Sequence, residues 1–119
     1  LSFTKFQIEN PNLTTNDSII TLDFTVLNAG KHPGKEVFQV YSSLEESQVV
    51  RPVKELRSFA KTNRIKPGKT EDISMVFSIE DLAYFEESED AWKIEKGTYT
   101  LHLGTSSRDI IHSFSLSID

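Results

Sequence analysis

The stretch Ile20-Thr-Leu-Asp-Phe-Thr-Val26 places Ile20, Leu22, Phe24 and Val26 on one side of an extended chain and Thr21, Asp23 and Thr25 on the other. A period of two belongs to a strand with one buried face and one wet face. Residues 72–79 repeat it, with Ile73, Met75, Phe77 and Ile79 set against Asp72, Ser74 and Ser78. Further along, Tyr99, Leu101 and Leu103 alternate with Thr98, Thr100 and His102, and the chain closes with Ile110, His112, Phe114, Leu116 and Ile118 against Ser113, Ser115 and Ser117. Weaker patterns lie at residues 3–9, at 35–41, where apolar residues occupy both faces, and at 55–60.

Turn chemistry separates these runs: Asn10-Pro11-Asn12, Asn28-Ala29-Gly30 with Pro33-Gly34, Lys66-Pro67-Gly68 and Lys96-Gly97. About seven short strands at this spacing predict an all-β antiparallel β-sandwich, one domain over residues 1–119, with a β-barrel as the structural alternative. One segment breaks the rhythm. Ser78 followed by Asp81 reads as a capping pair opening a single helical turn that crosses between the sheets. The spacing of Ile94, Gly97 and Tyr99 predicts a tyrosine corner, with the phenol hydroxyl returning to backbone near residues 94–96.

A domain of 119 residues buries roughly two-thirds of the surface its unfolded chain exposes and can fold alone. The longest apolar runs, such as Ile19-Ile20 and Val49-Val50, fall far short of the roughly 20 residues that cross a bilayer, so no membrane partner is expected. The first residues lack the pattern of a signal peptide, and any export signal is expected outside this stretch. Without cysteine there is no disulfide framework, which leaves the compartment open. A net charge of -5 with scattered basic residues argues against nucleic acid as a partner.

Candidate chemical groups are few. His32 lies in a turn while His102 and His112 fall on different strands, on a wet and a buried face respectively, so no shared metal site is assigned. Glu45-Glu46, Glu80-Asp81, Glu86-Glu87, Glu89 and Asp90 lie in polar turns without the apolar walls that raise a carboxyl pKa for glycoside hydrolysis. The turn at 86–90 also lacks the alternating ligands and central glycine of a calcium loop. Ser106-Ser107 has no nucleophile elbow around it. Asn12-Leu13-Thr14 and Asn16-Asp17-Ser18 match the glycosylation acceptor pattern, which has meaning only in a secretory pathway. Trp92, with Tyr84 and Phe85, would suit an aromatic platform for sugar rings. Packing of Trp92 beneath the crossover is the favoured expectation, because a lone tryptophan between strands usually fills a core.

Several stretches together resemble a known module. Asn28-Ala-Gly-Lys-His-Pro-Gly-Lys-Glu-Val-Phe-Gln-Val-Tyr41, Val50-Arg-Pro-Val-Lys-Glu-Leu-Arg-Ser-Phe59, Ile65-Lys-Pro-Gly-Lys-Thr70 and Phe77-Ser-Ile-Glu-Asp-Leu-Ala-Tyr84, continued in residues 92–99 and Gly104-Thr-Ser-Ser-Arg-Asp-Ile110, look like the fibronectin type III-like domain at the C-terminal end of glycoside hydrolase family 3 enzymes. Arg51-Pro-Val-Lys-Glu-Leu56 is the most specific element. Ser58 stands where a glycine is common in such domains, and Asn63-Arg64 replaces a more apolar pair. The resemblance implies an immunoglobulin/fibronectin type III-like sandwich that is a non-catalytic part of a retaining exo-acting β-glycosidase, most often a β-glucosidase, with β-xylosidase or a related activity as the alternative. It implies no cofactor and no catalytic residue in this stretch, since the nucleophile and acid/base belong to upstream domains of the same polypeptide. Direct glycan binding is not expected. A carbohydrate-binding module and an adhesion-type fibronectin domain are the competing readings.

The segment 42–56 is too long for a hairpin turn and carries Val49, Val50, Arg51, Pro52 and Val53 in succession. Pro52 biases Arg51 towards an extended conformation, and about ten extended residues running out and back place a tip roughly 15 Å from the sandwich. Residues Val49, Val50, Arg51, Pro52, Val53, Lys54 and Glu55 are therefore expected to form an interdomain docking arm, with Tyr99 and Trp92 in structural roles.

Overall fold

The computed structural model describes residues 5–45, 55–106 and 108–119. Among them nine strands form, in the order β1 (Phe6–Asn16), β2 (Ile19–Asn28), β3 (Val37–Leu44), β4 (Glu55–Lys61), β5 (Thr70–Ser78), β6 (Tyr84–Glu86), β7 (Ala91–Lys93), β8 (Gly97–Gly104) and β9 (Ile110–Ile118). Alternation predicts about seven. The additional pair, β6 and β7, has three residues in each strand, too few to display a period.

The sheets have the orders β1-β2-β5, β4-β3-β8-β9 and β6-β7, with every pairing antiparallel. The first two are separate sheets facing one another over a shared core, so the fold is a sandwich and not a closed barrel. The register sets Ile20 opposite Phe77, Leu22 opposite Met75 and Phe24 opposite Ile73. Each alternating run thereby contributes its whole apolar face to one side, and a slip by one residue would turn that face to water. The core joins these residues to Phe38 and Val40 of β3, Tyr99, Leu101 and Leu103 of β8, and Leu116 of β9. Phe24 meets Phe38 edge to face, with ring centroids 5.2 Å apart, bridging the two sheets.

The sequence turn expected at Asn10-Pro11-Asn12 is instead an irregularity within β1, where the register shifts between Glu9 and Asn12 and Asn10 has φ 51°. Because β1 pairs on one side only, Pro11 is accommodated without removing a ladder hydrogen bond from an interior strand. The chain reverses later, at Asp17 and Ser18, between the paired residues Asn16 and Ile19. The turn at residues 66–69 follows its sequence: Lys69 N–H donates to the Lys66 carbonyl at 3.0 Å, and Gly68 takes the φ of 77° that a type II turn demands after proline.

At the end of β5 the predicted cap forms. Glu80 N–H donates to Ser78 Oγ at 3.1 Å and Ser78 N–H to Asp81 Oδ2 at 2.8 Å, opening a 3-10 turn over Ile79–Leu82 that buries Leu82. Asn28, wholly buried, organises the loop after β2. Its Nδ2 donates to the His32 and Ile65 carbonyls, each at 2.8 Å, and its Oδ1 accepts from Gly30 N–H at 2.9 Å. His112, expected on a buried face, is exposed. It lies opposite the buried Leu103 on β9, the edge strand of the four-stranded sheet.

Candidate functional site

Strand β4 follows directly on the predicted arm. Val49, Val50, Arg51, Pro52, Val53 and Lys54 lie outside the described residues, while Glu55 opens β4 opposite Ser42. The pairing runs Val40 to Ser58 and then Tyr41 to Leu56, which leaves Arg57 as the extra residue of a β-bulge. A bulge re-aims its side chain and resets the alternation. Leu56 and Phe59, three residues apart, consequently pair with Tyr41 and Gln39 and share the outer face of the four-stranded sheet. They are 52% and 64% exposed.

The bulged Arg57 turns the other way and closes the end of the sandwich. Its Nε donates to Ser42 Oγ at 2.7 Å and its Nη1 to the Asp81 carbonyl at 2.6 Å, tying β4 to β3 and to the 3-10 turn. Nη2 stands 3.2 Å from the Glu55 carboxylate but lacks the alignment of a hydrogen bond, so that contact is ionic. One side chain thus fixes the start of β4 against β3 and the 3-10 turn.

Beside it stands the hairpin β6-β7. Trp92 is 70% exposed, which corrects the expectation that it packs beneath the crossover. Phe85 pairs with Trp92 across the hairpin, and their rings meet edge to face at 5.4 Å, so the indole is held by an aromatic partner on the surface. Arg57, Glu80, Asp81, Ala83, Trp92 and Ile94 line a groove between the hairpin and β4. The hairpin turn carries Glu86, Glu87, Glu89 and Asp90, with Glu89 in an ion pair with Lys93. Glu86 accepts from Ser88 Oγ at 2.8 Å and Ser88 N–H at 3.3 Å. These bonds, the side-chain one foremost, hold the Glu86 carboxyl below the usual glutamate range.

The other predicted residues are dispersed. Tyr99 is in the core, 1% exposed, with its hydroxyl donating to the Glu95 carbonyl at 2.6 Å. His102 bridges Ser43 Oγ at 2.9 Å and Ser113 Oγ at 3.1 Å on the outer face of the sheet. His112 leans on Phe114, ring centroids 4.6 Å apart. Among the described residues no cluster of His, Asp and Glu side chains is placed to hold a metal ion, and no helix is long and apolar enough to cross a membrane. Sequence reading passed over the roles of Arg57, Leu56 and Phe59. The available signal was the spacing of Leu56 and Phe59, which breaks a period of two within an otherwise strand-like run.

Two facing antiparallel sheets of three and four strands, with a tyrosine corner and an exposed aromatic hairpin, define a fibronectin-like β-sandwich module. The model of the fibronectin type III-like domain matches residues 36–107, and the chain belongs to that family, in the form found in family 3 β-glucosidases. A β-glucosidase of Kluyveromyces marxianus is 38% identical over 113 residues, covering 93% of this chain and 13% of that protein. The crystal structure of the Kluyveromyces marxianus β-glucosidase in complex with glucose superposes with a TM-score of 0.93 at 35% identity, covering 100% of this chain and 14% of that one. The GH3 β-glucosidase of Bifidobacterium adolescentis gives a TM-score of 0.91 at 32% identity, over 100% of this chain and 18% of its own. The chain therefore spans less than a fifth of the length of these relatives.

Proposed function

We propose that residues 1–119 act as a non-catalytic accessory domain of a family 3 β-glucosidase, packing against and stabilising the catalytic domains of the same polypeptide. The observation that carries this reading is the pair Leu56 and Phe59, brought onto one outer face by the Arg57 bulge and left largely exposed. In sequence they follow closely on the apolar residues Val49, Val50 and Val53 of the proposed arm. Arg51 meets a carboxylate or backbone carbonyls of the facing domain, and Pro52 limits the entropy lost on docking. Glu86 fits a non-catalytic role. Retaining hydrolysis needs one carboxyl raised by an apolar pocket, whereas Glu86 is lowered in a solvated turn.

Arg51→Ala combined with Val50→Asp tests the docking. The melting temperature of the full-length polypeptide should fall while that of the isolated domain is unchanged. Equal destabilisation of both, or no effect on the full-length polypeptide, refutes it. Aryl β-glucosides should be hydrolysed by the full-length polypeptide and not by residues 1–119 alone.

A further inference from the structure

The geometry points to the Phe85–Trp92 hairpin as a second docking element, distinct from the arm, which receives a basic surface on the remainder of the same polypeptide. A lysine or arginine of that surface stacks on the Trp92 indole while its neighbours pair with the carboxylates of residues 86–90.

Three observations carry it. First, Trp92 is 70% exposed yet held edge to face by Phe85 at 5.4 Å. That contact restricts the indole before any partner arrives, so less side-chain entropy remains to be lost on docking, as in the aromatic anchors of protein interfaces. Second, the charge is one-sided. Glu86, Glu87, Glu89 and Asp90 crowd the turn beside the indole, and Lys93 is already paired with Glu89. Such a surface selects a cationic partner, and an indole face is the preferred aromatic seat for a guanidinium or ammonium group. Third, the chain matches at most 18% of the relatives described above, so more than four-fifths of each lies outside the match and supplies a tethered partner at high effective concentration.

The groove beside Trp92 argues for protein rather than sugar. Its Arg57 is committed to Ser42, Asp81 and Glu55, and the Asp81 carboxylate accepts from Ser78 N–H. The lining therefore offers mostly apolar contact and few uncommitted groups for sugar hydroxyls.

This inference rests on the accessory-domain reading, and hydroxyl-radical footprinting of the full-length polypeptide separates the two. Oxidation of Trp92 and of Phe59 is followed by mass spectrometry, each normalised to the urea-unfolded protein. Trp92 and Phe59 should both lose most of their reactivity in the folded polypeptide. Glu87→Lys combined with Glu89→Lys should restore oxidation of Trp92 alone, and added salt should act in the same direction. Protection of Phe59 with Trp92 reactive would overturn the hairpin proposal and leave the accessory reading standing; both residues reactive would overturn both. Protection of Trp92 that neither charge reversal nor salt relieves would show a partner that is not basic. A Trp92 that is reactive until cellotetraose is added would mark a glycan platform instead. Either result overturns the proposal.

Discussion

The Tyr99 hydroxyl reaches back over the start of β8 to the carbonyl of Glu95, at 2.6 Å. The ring is part of the core while its polar end fastens the loop that enters the strand, so one side chain joins packing to chain direction. Tyr99→Phe keeps the ring and removes the bond. It should cost about 1 kcal/mol, the usual net value of one intramolecular hydrogen bond, read as a lower urea midpoint with unchanged slope. An unchanged midpoint would count against the corner.

Asn28 fills both roles of its amide, donating to two carbonyls and accepting one N–H from full burial. Asn28→Ala removes these bonds and strips polar partners from the loop that brings Gly34 to Ile65. A loss of about 3 kcal/mol is expected, because buried groups left unpaired cost their full desolvation. Equilibrium denaturation measures it, and hydrogen exchange should speed up first at Gly30.

Gly104 permits a close approach that no other residue allows. A Cβ there would stand 2.3 Å from the Asp109 carbonyl oxygen and 3.1 Å from Ile110 Cα, both backbone atoms that no rotamer change can move. Gly104→Ala should therefore destabilise the domain by about 3 kcal/mol, the upper end of ordinary overpacking. A melting temperature equal to that of the unsubstituted domain would contradict the contact.

Glu86 should titrate below the ordinary glutamate range, because Ser88 hydrogen-bonds its charged form, with a smaller contribution from Lys93. The sign follows from a folded pKa lower than the unfolded one. The stabilising contribution is complete above the unfolded glutamate value of about 4.3 and disappears as pH falls through the lower folded value. Carbon-detected NMR titration should show the depressed value, and Ser88→Ala should raise it towards normal.

Legibility in the sequence followed burial. Residues 20–26 and 73–77 could be read because each has one face in the core and one in water, which writes a period of two into the chain. The Ser78 cap and the Lys66-Pro67-Gly68 turn could be read because their geometry depends on neighbouring residues alone. Trp92 was misplaced because a three-residue strand carries no period to say which side faces the core. His112 keeps the inward register of β9, opposite Leu103, but it is exposed on an edge strand, and strand order is something no local pattern records. The exposure of Leu56 and Phe59 on one face was hidden by the bulge at Arg57, since only the pairing with Gln39 and Tyr41 puts them on the same side. For Val49, Val50, Arg51, Pro52, Val53 and Lys54 the sequence remains the whole argument.

The kinked outer strand of the three-stranded sheet has a consequence for how such a domain survives within a long polypeptide. Pro11 offers no N–H, and the left-handed Asn10 bends the backbone beside it, so the rim of β1 presents a broken row of hydrogen-bonding groups. A newly made chain holding other unfinished sheets nearby cannot zip an extra strand onto that rim without meeting the break. The irregularity thus acts as a gatekeeper against edge-to-edge misassembly while a chain is still folding.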